Sequence, residues 1–260
     1  MQTSSAPLKL RLRSYIVIPA RLESTRLPRK LLLSETGKAL IQHTYESASL
    51  ASSPVGICVA ADHETIAQEV RKFGGNVVLT DPNAQSGTDR VAEVARSLHD
   101  CDVVVNVQGD EPEISAEAIE RVVELLQENP DVSMSTLATP IRSRQQLEDP
   151  ACVKVVFSEA GRAMYFSRSP IPHPRTWDDS LLTGSRPFFF QHLGIYAYRR
   201  DFLLGLADLP QSDCEKIESL EQLRVLSAGH QIMVGVIDEP TVGVDTAEDY
   251  RAFVSRIRNC

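Results

Sequence analysis

Two short stretches of this chain concentrate charge directly after apolar runs. "YIVIPARLESTRLPRK" ends on Arg21, Arg26, Arg29 and Lys30. "VVVNVQGDEPE" ends on Gln108, Gly109, Asp110, Glu111 and Glu113. Arginine grips phosphate oxygens through two parallel bonds, and lysine acts as a mobile point charge. Neither G-x-x-x-x-G-K-[ST] nor G-x-G-x-x-G is present in the first stretch, so phosphates there would rest largely on side-chain cations. A solvated basic loop is the plain alternative. Clustered carboxylates repel one another and pack poorly, but beside a phosphate site they suit Mg²⁺. Otherwise they form an acidic turn that favours the start of the next helix. Gly109 would let backbone approach a ligand closely. A third stretch, "GVDTAED", pairs Thr246 with Asp249 as a T-x-x-D helix cap. That cap leaves Asp245 available to complete a metal site with Asp110.

These loops need strand ends to bring them together. "YIVIPA", "VGICVA", "NVVLT", "DVVVNV" and "VSMSTLAT" read as strands, the first and fourth buried on both faces. Helices are expected between them at about 38–51, 63–73, 88–98 and up to residue 128. Ser86 and Thr88 cap the third of these helices and Ser115 the fourth. The alternation implies an α/β fold, a mainly parallel sheet with helices on both faces. Ligands in such sheets bind at the carboxyl ends of the strands, where both charged loops fall.

The pattern then changes. "CVKVVF" and "AMYF" read as a hairpin turning at 159–162. Residues 169–187 are a proline-rich excursion with the only tryptophan, Trp177. "LGIYAY" is a strand, 215–226 an amphipathic helix with Ile217, Leu220, Leu223 and Leu226 inward, and "QIMVGVI" the last strand. A final helix starts at Thr246. Residues 1–13 read as a loose tail and 14–260 as one domain, with the excursion at about 150–187 as a candidate oligomer contact.

The chain has 260 residues, 42% hydrophobic and 24% charged, with a formal net charge of -8. This is ordinary globular usage. The acidic balance argues against nucleic acid as a partner and turns the basic loop towards a small anion. Five scattered cysteines without C-x-x-C spacing fit a reducing cytoplasm and give no zinc signature. No apolar run reaches membrane-spanning length, and the first residues lack the apolar core of a secretory signal.

Taken in order, "IPARLESTRLPRKLL", "QSGTDRVAEV", "VVNVQGDEP", "VKVVF", "AMYFSRSPIP", "HLGIYAYR", "IESLEQLRVL" and "GVDTAED" resemble the blocks of the CMP-KDO synthetases. These are the 3-deoxy-manno-octulosonate cytidylyltransferases. The resemblance runs from about Tyr15 onward and departs at two positions. Arg29 stands where L-P-G-K has glycine, and Gln191 where a basic residue often precedes the histidine.

The resemblance implies a Rossmann-like nucleotidyltransferase fold. It also implies transfer of CMP from CTP to the anomeric hydroxyl of KDO, releasing pyrophosphate. Pro19, Ala20, Arg21, Arg26, Lys30, Ser86 and Gly87 would then receive the nucleotide. Lys30, Arg21, Asp110 and Asp245 would carry catalysis, with Asp110 and Asp245 holding Mg²⁺ as the cofactor. Cations and acids would share the site because ligand and metal lie between them. Arg90 is the candidate partner of the KDO carboxylate; a surface helix residue is its plain alternative. Gln108, His192, Tyr196, Glu218 and Gln222 are the candidate sugar contacts. His192 and Tyr196 share one strand face. Glu218, Glu221 and Gln222, at i, i+3 and i+4, share one helical face; packing and solvation respectively explain these residues otherwise. The resemblance further implies a cytoplasmic homodimer that supplies lipopolysaccharide synthesis. The competing readings are a cytidylyltransferase for another acidic sugar, 8-amino-KDO or sialic acid, and a non-catalytic nucleotide-binding regulator.

Overall fold

The first half of the chain alternates strand and helix as expected. It runs β1 (Ser14–Ala20), α1 (Leu40–Ala48), β2 (Ile57–Ala61), α2 (Glu64–Lys72), β3 (Val77–Leu79), α3 (Gly87–Ser97), β4 (Val103–Asn106), α4 (Ala116–Glu128) and β5 (Met134–Pro140). The computed structural model describes residues 11–84, 86–206, 208–238 and 242–259. Continuing, the second half is α5 (Arg144–Glu148), β6 (Lys154–Phe157), β7 (Ala163–Ser167), α6 (Ser180–Thr183), β8 (Phe190–Arg199) and α7 (Arg200–Leu206). It ends with α8 (Asp213–Glu218), α9 (Gln222–Ser227), β9 (Ile232–Val236) and α10 (Ala247–Asn259).

One nine-stranded sheet orders its main path β3-β2-β1-β4-β8-β5-β9. β1, β2, β3 and β4 pair in parallel, while β8 runs antiparallel between β4 and β5. The β6–β7 hairpin, turning where expected, joins this sheet through β8. β1 is almost wholly apolar after Ser14 because both its faces are covered. Ile16 and Ile18 belong to the layer with α1, α2, α4 and α10, and Val17 to the layer with α3 and α7. A smaller core of Ile141, Leu147, Cys152, Leu182 and Phe189 gathers the excursion, with Trp177 packed against it. Arg144 lies over the Trp177 ring at 4.9 Å.

Three expectations need correction. The helix expected at 215–226 is two short helices. Ser219 between them adopts φ 52°, a left-handed conformation that ends α8. The break turns Ile217 outward, 83% exposed, while Leu220 and Leu223 stay buried. A buried bidentate ion pair spans it, with Arg224 Nε and Nη2 at 2.9 and 2.6 Å from the Glu215 carboxylate. Thr88 is not a cap. Ser86 alone caps α3, accepting from Asp89 N at 3.1 Å. The proposed tail falls mostly on residues 1–10, outside the described residues. The part that is described is anchored, for Leu12 N donates to Gln127 Oε1 at 2.7 Å and Arg13 N to Asp102 Oδ2 at 2.8 Å.

Candidate active site

The loop after β1 closes in one 3₁₀ turn, Lys30–Leu32, which aims Lys30 back at the strand ends. Arg29 begins that turn in the left-handed region, φ 52° and ψ 32°. A non-glycine residue there costs on the order of 1 kcal/mol. The residue that departs from the L-P-G-K pattern therefore takes the conformation that glycine favours.

Lys30 Nζ donates to Asp110 through a short contact, to Asp245 Oδ1 at 2.9 Å and to Val244 O at 3.0 Å. Arg26 Nη2 lies 3.1 Å from Asp245 Oδ2. Both carboxylates thus converge on one point. Burial opposes the Lys30 charge, but Asp110 and Asp245 outweigh it and raise its pKa. Cations and acids occupy one site, as expected, and here they pair directly with one another. Two devices fix the acids. Val244 N donates to Asp110 O at 2.8 Å, and Asp249 Oδ2 accepts from Asp245 N at 3.1 Å and Thr246 N at 2.8 Å. Gly109, which lines the cavity over this cluster, also has a packing use. A Cβ there would lie 2.9 Å from Pro19 O, so its missing side chain lets the β4 loop press against β1.

This cluster floors a cavity of about 420 Å³ lined by Pro19, Arg21, Arg26, Lys30, Ser86, Gly87, Gln108, Asp110 and Asp245, among others. A second cavity of about 430 Å³ continues from it. Ser86, Gly87, Gln108, Glu221 and Asp245 line both. The second carries many neutral polar groups, Asn106, His192, Tyr196, Tyr198 and Gln222, beside the charged Asp89, Glu111 and Arg224.

Burial sets the chemistry of the second cavity. The His192 pKa is pushed down to about 3, so the ring is neutral at pH 7. Its Nε2 lies 3.0 Å from Thr136 Oγ1, whose single proton has Ile195 O at 2.8 Å as its nearer acceptor. The hydroxyl oxygen is therefore left to accept from Nε2–H, which assigns that tautomer from hydrogen-bond satisfaction. The same contacts stitch an irregularity in β8, where the register shifts opposite Thr136 and Leu137. Burial first, then neighbouring Tyr198, Glu221 and Glu111, raises the Tyr196 pKa well above its usual value. Tyr196 OH donates to Gln222 Oε1 at 3.4 Å. Gln222 is itself buried, and its Nε2 meets no acceptor among the described residues.

Three expected contacts line neither cavity. Ala20 is buried, and its carbonyl accepts from Asp62 N at 3.1 Å. Glu218 accepts from Ser167 Oγ at 2.6 Å and Arg168 N at 2.9 Å, fastening α8 to the end of β7. The break at Ser219 is the reason, for it takes Glu218 off the face it would have shared with Glu221 and Gln222. Arg90 is 1% exposed, so the surface alternative fails as well. The face of α3 that packs on the sheet carries Arg90 with Val91, Val94 and Ala95. Its Nη1 donates to Thr80 Oγ1 at 2.6 Å and Asp81 O at 2.9 Å.

Glu221 is the residue the sequence reading passed over. It stands on the wall between the cavities, accepting from Thr88 Oγ1 at 2.6 Å. Though accessible to the cleft, its carboxyl is hemmed in by the walls. That desolvation raises its pKa against the pull of Thr88. Spacing had placed it on a solvated helix face, and no signal in the sequence marks the break that turns it inward. Gln191, the other departure, accepts from Gln146 Nε2 at 2.6 Å.

A cleft with cations and paired carboxylates in one half and a largely polar, hydrogen-bonding wall in the other suits the transfer of a phosphorylated group. Fold and site together define a nucleotidyltransferase. Residues 15–232 match the Cytidylyltransferase family, and the chain belongs to it. A 3-deoxy-manno-octulosonate cytidylyltransferase of Rhodopirellula baltica is 47% identical over 95% of this chain and 100% of its own. An 8-amino-3,8-dideoxy-manno-octulosonate cytidylyltransferase of Shewanella woodyi is 44% identical over 93% of this chain and 97% of its own. A solved CMP:2-keto-3-deoxy-manno-octonic acid synthetase complexed with CTP superposes with a TM-score of 0.87. It is 38% identical, covering 95% of this chain and 99% of that one.

Proposed function

We propose that the chain transfers CMP from CTP to the anomeric hydroxyl of KDO. The observation that carries this reading is the contiguity of the two cavities, with Asp245, Gln108 and Glu221 on the shared wall. In the reaction the sugar oxygen bonds to the α-phosphorus in line, the bond to the β-phosphate oxygen breaks, and pyrophosphate leaves with its electron pair. The hydroxyl proton passes to solvent. Little covalent work falls to the protein, so positioning and electrostatics supply the rate.

Arg21, Arg26 and Lys30 receive the phosphates and offset the charge that develops on pyrophosphate. Asp110 and Asp245 would hold Mg²⁺. Two carboxylates converging on the Lys30 ammonium support this, as does the habit of Mg²⁺ of completing its shell with water and substrate phosphates. No group of three or more candidate metal ligands occurs among the described residues, so an all-protein cage is not the arrangement in view. When bound, the ion would draw charge from phosphate oxygens and lower the pKa of the attacking hydroxyl. Gln108, His192, Tyr196 and Gln222 orient the sugar through neutral hydrogen bonds.

Among the described residues no helix is long and apolar enough to cross a membrane. We place the enzyme in the cytoplasm, as a homodimer formed through the 150–187 segment, upstream of lipopolysaccharide assembly. The 8-amino sugar is the second reading, favoured by relatives that bear that name. Pyrophosphate release from CTP, measured separately with KDO, its 8-amino analogue and sialic acid, tests the assignment. Release with KDO at the highest kcat/KM is expected. No release with any of the three would leave a nucleotide-binding protein without this activity.

A further inference from the structure

The carboxyl ends of β2 and β3 hold a charged arrangement that no role above uses. Arg90 is almost fully buried, and burying a guanidinium is costly unless its donors are met. Nη1 meets Thr80 Oγ1 and Asp81 O, Nη2 faces Asp62 Oδ2 across 4.0 Å as an ion pair without a hydrogen bond, and Nε is buried with no acceptor among the described residues. Burial works against this charge and Asp62 works for it. Asp62 in turn grips the first turn after β1 at two points. Its Oδ1 accepts from Leu22 N at 2.9 Å, and its own N donates to Ala20 O at 3.1 Å. Arg21, between those two points, lines the phosphate-side cavity. On the other arm, Thr80 Oγ1 donates to Ala61 O at 3.1 Å, locking the end of β3 to the end of β2. Further along the chain, Ser86 and Gly87 line the same cavity, and Gly87 lies beside Pro19, where an added Cβ would be in ordinary contact at 3.6 Å from its ring.

We propose that Arg90 is a positioning residue for the nucleotide half of the cleft. Through Asp62 it sets the backbone at Leu22 and with it the approach of Arg21. Through Thr80 and Asp81 it fixes the end of β3, ahead of Ser86 and Gly87 in the chain. It touches neither substrate. The proposal rests on the reading of that cavity as the CTP side.

The test measures CTP binding by calorimetry without sugar, together with the half-saturation for each substrate and the thermal midpoint. Arg90→Met keeps the apolar stem and removes the donors. CTP binding should weaken about tenfold, while the KDO half-saturation at saturating CTP changes less than about twofold. Asp62→Ala should reproduce that pattern. The double variant should lose less CTP affinity than the product of the two single losses, since part of each acts through the contact they share. Arg90→Lys, which keeps the charge, should recover part of the loss. If Arg90→Met does not fold, Asp62→Asn carries the test. It keeps an acceptor for Leu22 N while losing the charge opposite Arg90, and about threefold weaker CTP binding is expected. A higher KDO half-saturation with CTP binding intact would make Arg90 a sugar contact and overturn the proposal. A lower thermal midpoint with both affinities intact would reduce it to packing and overturn it equally. Arg21→Gln is the control for the underlying reading. If that variant binds CTP normally, the cavity is not the nucleotide side, whatever Arg90 does.

Discussion

On the phosphate side of the cleft, Lys30, Arg26, Asp110 and Asp245 meet through direct ion pairs. On the acceptor side, His192, Tyr196 and Gln222 are neutral and held by burial and single hydrogen bonds. The supports differ in the same way. Charged groups stand at the ends of parallel strands β1 and β4 and at the start of α10, where the backbone is pinned by the Val244–Asp110 bond. Neutral groups stand on β8, beside a register shift, and on α9, after a break in the helix. Charge that has to meet charge is held on stiff supports. A polyhydroxylated partner is met by a surface whose irregularities set individual side chains apart from their neighbours.

The comparison breaks first if the acids do not act as a unit. Asp110→Asn and Asp245→Asn should each lower turnover by about a thousandfold with the fold intact by circular dichroism. The double variant should be little worse than the worse single. Fully multiplicative losses in steady-state rates would mean two independent sites. Lys30 comes next. Lys30→Met should lower kcat by roughly a hundredfold and CTP affinity by less, because charge grows on the leaving pyrophosphate in the transition state. A rise in the KM for CTP with kcat unchanged would assign Lys30 to ground-state binding.

The neutral side is sharpened by acid. The folded-state pKa of His192, about 3, lies below the ordinary value of 6.5, so the unfolded chain binds the proton more readily. The stability that this difference contributes is present above about pH 6.5 and is lost as pH falls towards 3. At pH 5 the loss from this group is about 2 kcal/mol. In urea titrations His192→Phe should flatten that part of the acid limb. An unchanged limb would show that His192 does not govern it. The smallest effect concerns the loop. Arg29→Gly should relieve the left-handed strain and raise stability by about 0.5–1 kcal/mol, less whatever the unfolded glycine gains in freedom. A fall in the thermal midpoint would mean that the Arg29 side chain contributes more than its backbone costs.

The strands and the charged loops were legible because they follow strong local rules. Apolar runs of strand length, a serine before a helix and a T-x-x-D cap each report their own structure. The placement of Lys30, Asp110 and Asp245 at one edge followed from α/β topology, not from any single motif. What escaped was set by tertiary contact. The break at Ser219 leaves no composition signal, and it moved Glu218 out of the cleft and Glu221 onto the shared wall. The burial of Arg90 was not legible either, because charge suggested a ligand, whereas the face of α3 that packs on the sheet decided its surroundings. The short helices α5 and α7 were missed because too few turns repeat for a period to show.

The hydrogen bond from Val244 to Asp110 also bears on how the molecule comes into being. It joins segments made early and late in synthesis, and Tyr250 OH accepting from Glu35 N at 2.9 Å does the same for the first loop. Contacts of such sequence separation form slowly because a long loop must close first. The convergence of Asp110 and Asp245 on Lys30 therefore waits on the closing of loops that span most of the chain.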